Sequence, residues 1–355
     1  MSLRRAGAFS LIELLVVISI VALVIALVLP ALGGARDVAR RGESLAVMNE
    51  FAAAVEQFRQ DHDRLPGVFT PSQMGSSENA DTYGFTAMEN ALLELMGGLV
   101  TTTSPNSEER NFGPSAAARA ENQSLGRYVN AQLMGTSYPG NPGYFTPRGK
   151  YWTAMDRPTQ QWGSGAALTT DADIPDLVDA WGNPFLLWVE DDAGPRRITS
   201  VDDFARIAQT GNNYARFYWA SNAGYLRANE FGRRGRNQSA DSLLGDTVGA
   251  LNRQRTMTGL LGSPDFPIGD LDTVAMNLLL PSAPRSAMLI MSAGADGLHL
   301  GARDRGARAT AAATDGLYYG MHHKSAGGAR HTDDGRPVTL DRIAEFDDLI
   351  LSVGR

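Results

Sequence analysis

From Leu14 to Ala35 the chain carries no charged residue, and an uncharged run of that length admits few structures. As a helix these 22 residues would extend about 33 Å, enough to cross a bilayer. Three fates are open: a secretory signal, a membrane anchor, or a retained part of the working protein. A secretory signal has an apolar region of about 7 to 15 residues with a small-residue cleavage site beyond it. Ala31-Leu32-Gly33 offers such a site, but the apolar run is longer than that. Arg4 and Arg5 favour a cytoplasmic amino terminus, whereas Arg36, Arg40 and Arg41 oppose that orientation. Glu13 lies near the start of the run. An acid in an apolar segment is costly unless paired or interfacial, which makes Glu13 a candidate functional residue.

The stretch "AFSLIELLVVISIVALVIALVLP" resembles the class III signal and first helix of type IV pilins and type II secretion pseudopilins. The resemblance implies that prepilin peptidase removes a short leader on the cytoplasmic side, that the new first residue is methylated, and that the apolar helix is retained. Members of the family usually have Phe first, Glu fifth and, in many, Pro twenty-second after the cut. Cleavage after Ala8 satisfies all three with Phe9, Glu13 and Pro30, while cleavage after Gly7 puts them out of register. Ala8 stands where the family usually has Gly. Glu13 would then neutralise the terminal ammonium of a neighbouring subunit's Phe9, an assembly role without catalysis. Pro30 removes a backbone donor, and Gly33-Gly34 follows, so a kink or meltable stretch is expected there.

Beyond the glycines, Val38, Leu45, Met48, Phe51, Ala52, Val55 and Phe58 recur at steps of three and four, the spacing of a helix laid on a globular domain. Pro66 and Gly67 end it, with Leu65 the expected last residue. The end of this helix, "AVEQFRQDHDRLPG", also resembles the corresponding stretch of the major pseudopilin.

The chain holds 38 Gly and 17 Pro, crowded between residues 97 and 180, so residues 67–178 read as an inserted, loop-rich region. Short helices are expected near 86–97 and 114–134. Tyr138, Tyr144, Phe145, Tyr151, Trp152 and Trp162 argue that this region packs down. Strands are expected at Pro184 to Glu190, Ala215 to Ala220, Ala287 to Ser292 and Asp348 to Val353. Successive strands without regular intervening helices predict an antiparallel sheet on the long helix, an α+β fold. The resemblance makes that fold pilin-like, with large loop insertions. The expected divisions are a leader at 1–8, a transmembrane and assembly helix at 9–35, its amphipathic continuation at 36–66, the insertion at 67–178, and a sheet region with a carboxyl-terminal Asp-rich loop at 179–355.

"DAWGNPF" (Asp179 to Phe185), "SAGADG" (Ser292 to Gly297) and "FDDLILS" (Phe346 to Ser352) resemble short motifs of the major pseudopilin, the last less closely. In that family the last two segments build a calcium loop. The resemblance thus implies a Ca²⁺ site with Asp296, Asp347 and Asp348 as its carboxylates, although about fifty residues separate the segments here. Ordinary turn-forming aspartates are the alternative.

The remaining chemistry is sparse. There is no cysteine, which removes disulfides and thiol chemistry. His322, His323 and His331 lack spacing that would converge them on a metal, and Asp171, Asp173 and Asp176 read as a solvated turn. No nucleotide-binding, serine-hydrolase or zinc-protease motif occurs, so no enzyme is expected. The net charge of −7 gives no field that favours nucleic acid; Arg227 to Arg236 is a local basic stretch that reads as a solvated loop. The resemblance implies a single-pass protein of the bacterial inner membrane with its domain in the periplasm. Its partners would be prepilin peptidase, other pilin-like subunits and a secretion or pilus machinery. A type II secretion pseudopilus is the expected destination, with a minor type IV pilus subunit, a non-assembling anchored enzyme or binding protein, and a secreted enzyme cut near Gly33 as alternatives.

Overall fold

The computed structural model describes residues 11–106, 108–136, 143–153, 174, 176–227, 237–263, 267–268, 280–301, 304 and 347–354, without the side chains of 27–32, 82–83, 153 and 267–268. Helix α1, Leu11–His62, is 52 residues long and runs without a break through Pro30, Gly33 and Gly34. The stretch expected to kink or melt is helical throughout. Once helix is formed on both sides, continuing it costs less than nucleating it twice, which outweighs the local penalties of Pro and Gly. The helix ends three residues before the expected Leu65. Asp63 takes a left-handed conformation (φ 53°) and its N–H donates to the Arg59 carbonyl at 2.8 Å, closing the last turn.

The two halves of α1 have different surroundings. Leu11 to Ile25 present large apolar side chains that are 48 to 79% exposed, and Val38 is 73% exposed. From Ser44 onward one face is buried, through Val47, Met48, Phe51, Ala54, Val55 and Phe58. Among the described residues no helix is long and apolar enough to cross a membrane.

The next elements fill residues 67–178. Helix α2 is Pro71–Met74 and α3 is Ala87–Leu95, the latter opened by a reciprocal capping box between Thr86 and Glu89. Strand β1, Leu99–Thr101, pairs antiparallel with β2, Arg127–Val129, and α4, Ala116–Ser124, lies between them in sequence. The helix expected over 114–134 is therefore cut short. Gly126 turns the chain at φ 64°, and a Cβ there would stand 2.6 Å from the Thr102 carbonyl oxygen. Strands β3, Trp152–Thr153, and β4, Asp176–Leu177, form a further short antiparallel pair. This region contributes Phe85, Met88, Leu92 and Phe112 to the core, beyond what its turn-rich composition suggests.

The principal sheet has three strands: β5, Leu186–Val189, then β10, Met288–Ser292, and β11, Leu349–Val353. Between β5 and β10 lie α5 (Val201–Phe204), β6 (Ala205–Arg206), β7 (Phe217–Tyr218), α6 (Ala223–Leu226), α7 (Gln238–Asp241), α8 (Ala250–Leu261), β8 (Pro267–Ile268) and β9 (Leu280–Pro281). Strand β10 is central and antiparallel to both neighbours, with Ile290 opposite Leu351 on one side and Leu187 on the other. Side chains alternate across a strand, and here both faces are covered. Met288 and Ile290 join α1 and α3 in one core, while Leu289 and Met291 join Trp188, Trp219 and Leu260 in a second. That burial on both faces explains the uninterrupted apolar run "MLIM" (Met288 to Met291). The expected strand at Ala215 to Ala220 is shorter, since a 3₁₀ turn, Trp219–Asn222, follows Tyr218 at once. Helices with a mainly antiparallel sheet make the chain α+β.

Candidate metal centre at the carboxyl-terminal loop

A buried aspartate joins two of the motifs. Asp179 Oδ1 accepts from the N–H groups of Trp181 and Asn183, both at 2.9 Å, and Oδ2 accepts from Ser292 Oγ at 2.7 Å. Asn183 Nδ2 donates to the Gly294 carbonyl at 3.3 Å, and Gly294 N–H donates to Ser292 Oγ at 3.2 Å. Burial raises the Asp179 pKa, and these hydrogen bonds oppose the rise. Gly182 (φ 89°) makes the turn, and Ala180 N–H donates to the buried Ser44 Oγ of α1 at 3.0 Å. "DAWGNPF" and "SAGADG" are thus one hydrogen-bonded unit tied to the long helix.

Four aspartates gather beyond this unit. Gly294 has φ 62°, and a Cβ there would lie 2.3 Å from the Asp347 carbonyl oxygen, so only glycine lets the two segments touch. Asp296 N–H donates to Asp347 Oδ2 at 2.9 Å, and Leu298 N–H donates to Asp296 Oδ1 at 2.8 Å. Leu300 N–H donates to Asp348 Oδ2 at 2.8 Å, while Asp304 N–H returns to the Gly301 carbonyl at 3.0 Å. Oxygens of Asp296, Asp304 and Asp347 all lie within 4.8 Å of one another. Two ligands on one Ca²⁺ at about 2.3 to 2.6 Å can be no more than about 5 Å apart, so the spacing suits a shared calcium-sized ion.

The electrostatics agree with that fit. Asp304 and Asp348 are fully buried, and among the described residues Asp304 Oδ2 and Asp348 Oδ1 have no hydrogen-bond partner. Burial, with the charges of Asp347 and Asp296, pushes Asp304 up to about 8. Burial and the neighbouring Asp304 hold Asp348 well above the usual carboxylate range. A bound cation would relieve both the desolvation and the repulsion. On the other side of the loop, His299 Nε2 lies 3.0 Å from the Pro184 carbonyl, and burial lowers its pKa to about 4. His299 is a packed, neutral side chain in this setting.

The carboxylates that the resemblance implied, Asp296, Asp347 and Asp348, are therefore together, and Asp304 joins them. The visible signal for Asp304 was an aspartate soon after "SAGADG" with Gly301 between, inside what read as an insertion. Glu13 is exposed in the first turn of α1. Ala8 and Phe9, the side chain of Pro30, and Asp171, Asp173, His322, His323, His331, Phe346 and residues 228–236 of the basic stretch lie outside the described residues. Asp176 is no solvated turn residue: it is buried in β4 and accepts the Tyr225 hydroxyl.

Fold and site together define an α+β chain with a long helix in two surroundings and an acidic loop in which Asp296, Asp304 and Asp347 meet. Set against protein-family models, curated proteins and solved structures, the chain matches none.

Proposed function

We propose that this chain is a structural, pilin-like subunit that is processed by prepilin peptidase after Ala8 and assembled through its amino-terminal helix into a type II secretion pseudopilus. The observation that carries the reading is α1 itself. Its carboxyl-terminal half is part of the core of the head, while its amino-terminal half exposes Leu11, Ile12, Ile18 and Leu23, with no head residue covering them among the described residues. So much contiguous apolar surface calls for a membrane or neighbouring helices of the same kind. Glu13 near its start is the charge that a neighbour's Phe9 ammonium would meet. The union of "DAWGNPF" with "SAGADG" and the Asp347-Asp348 segment supports secretion over a minor type IV pilus role, since those motifs carry the likeness to the major pseudopilin.

Calcium fits the acidic loop and belongs to the same reading. Asp296, Asp347 and the adjacent buried carboxylates would hold it, with backbone carbonyls and water completing the six to eight oxygens it takes. Its contribution is a cross-link, joining the loop after β10 to the start of β11 in a chain without cysteine.

A non-assembling, anchored binding protein draws on one observation. A cleft of about 1080 Å³ lies between the end of α1 and β5, with Arg64, Asn90, Glu94, Asp191 and Tyr218 among its walls. Glu13→Ala separates the two readings. For an assembling subunit, the variant should be made and membrane-bound yet fail to cross-link into filaments or support secretion. Filaments and secretion at wild-type levels would defeat the assembly reading and favour the anchored one.

A further inference from the structure

The resemblance places Asp296, Asp347 and Asp348 around the ion, but the geometry points to another division of labour. We infer that the divalent cation is held by Asp296, Asp304 and Asp347, and that Asp348 is a positioning residue acting through the backbone of Leu300. The inference rests on the calcium reading above and names which side chains realise it.

Three observations carry the assignment. Asp296, Asp304 and Asp347 are the trio whose oxygens lie within 4.8 Å of one another, and Asp348 falls outside that group. Asp304 is completely buried, and its Oδ2 has no partner among the described residues. A buried carboxylate oxygen without a donor is costly, and a cation is the partner that the surrounding carboxylates attract. Gly301 shows where the oxygens converge. A Cβ built there would stand 2.8 Å from Asp296 Oδ2 and 3.2 Å from Asp304 Oδ2, so both oxygens close on the space that glycine leaves open.

Asp348 stands outside the trio, although its buried Oδ1 also has no partner among the described residues, and its other oxygen holds the backbone. Its Oδ2 accepts the Leu300 N–H at 2.8 Å, and Leu300 stands at φ 55°, a conformation that an unbranched-β, bulky residue adopts only when its surroundings hold it. Leu300 is also held from its other side, where its carbonyl accepts the Leu243 N–H at 2.7 Å. The next residue is Gly301, whose carbonyl accepts the Asp304 N–H. Asp348 therefore shapes the turn that presents Asp304, as outer groups commonly orient metal ligands.

Calcium titration calorimetry and thermal melting of the purified full chain, with and without Ca²⁺, test the assignment in three variants. Asp304→Asn should abolish measurable Ca²⁺ binding while leaving the calcium-free melting temperature unchanged or higher, because a buried, partnerless charge is removed. Asp348→Asn should keep calcium binding, weakened about 10-fold, and lower the calcium-free melting temperature. Gly301→Ala retains every carboxylate and should weaken binding at least about 10-fold, which keeps the test decisive if Asp304→Asn does not fold. Wild-type affinity in Asp304→Asn or in Gly301→Ala would overturn the assignment, as would complete loss of binding in Asp348→Asn with an unchanged calcium-free melt. If wild-type protein neither binds Ca²⁺ nor melts higher with it, the calcium cross-link fails together with this assignment, and the pilin-like reading stands apart from both.

Discussion

A few buried polar residues do much of the organising in this chain. Asp176 accepts the Tyr225 hydroxyl, whose oxygen lies 3.4 Å from Thr86 Oγ1, and Thr86 in turn donates to the buried Glu89 at 2.8 Å. Burial pushes Asp176 up to about 7 from the usual 3.8, while the Tyr225 hydrogen bond opposes the rise. Because the folded value is the higher one, its contribution to stability is complete below about pH 4 and is lost as the pH rises through 7. His299 acts in the opposite sense. Its folded value of about 4 lies below 6.5, so its contribution is present above pH 6.5 and lost as the pH falls through 4. Asp176→Asn keeps an acceptor for Tyr225 and removes the titration. Thermal melts from pH 4 to 8 should therefore show a smaller loss toward high pH than wild type, by a few kcal/mol at most, with the acid-side loss intact. Parallel profiles for the two proteins would contradict this account. Sequence alone made Asp176 a solvated turn residue, because nothing local announces that Tyr225, 49 residues away, will cover it. Asp296, Asp347 and Asp348 were legible through short motifs. Asp304 was not, since its relation to them exists only once β10 and β11 pair.

The elements that the sequence disclosed best are those whose pattern matches their burial. The stripe through Met48, Phe51, Val55 and Phe58 became the buried face of α1, and the apolar runs around 186–189, 288–292 and 349–353 became the three paired strands. Val38 shares the spacing but is 73% exposed; among the described residues it lies upstream of Glu43, which pairs with Lys150 at 2.9 Å, and of Ser44, where burial begins. Periodicity reports a face and says nothing of where the partner begins. The contrast gives a direct test. Phe51 is fully buried and meets Phe145 edge-on with ring centroids 5.8 Å apart, so Phe51→Ala should cost about 3 to 5 kcal/mol. Val38→Ala should change the stability of the isolated chain by no more than about 0.5 kcal/mol. Denaturant unfolding of both variants checks this, and similar losses would mean that the head covers more of α1 than the structure shows. The stretch over 114–134 was misjudged for a different reason. Its helical composition continues past Ser124, but Gly126 packs against Thr102 and turns the chain into β2. That is a tertiary contact which no local pattern encodes.

At the scale of the whole molecule, one helix links two environments. Its second half is fixed to the head through Phe51, Phe58 and the Ser44 bond to the Asp179 turn, and the same turn is bonded to the loop that gathers the four aspartates. Assembly forces on the apolar half would thus reach a head braced along its length, down to the acidic loop. For the proposed subunit the decisive event would be a cut that frees Phe9 and leaves the helix in place, since a terminal ammonium four residues from Glu13 is what the proposed packing needs. The mass of the mature amino terminus measures it directly. The account predicts a chain that begins at Phe9, and a mature chain beginning at Ala8, or at a residue beyond Leu32, would contradict it.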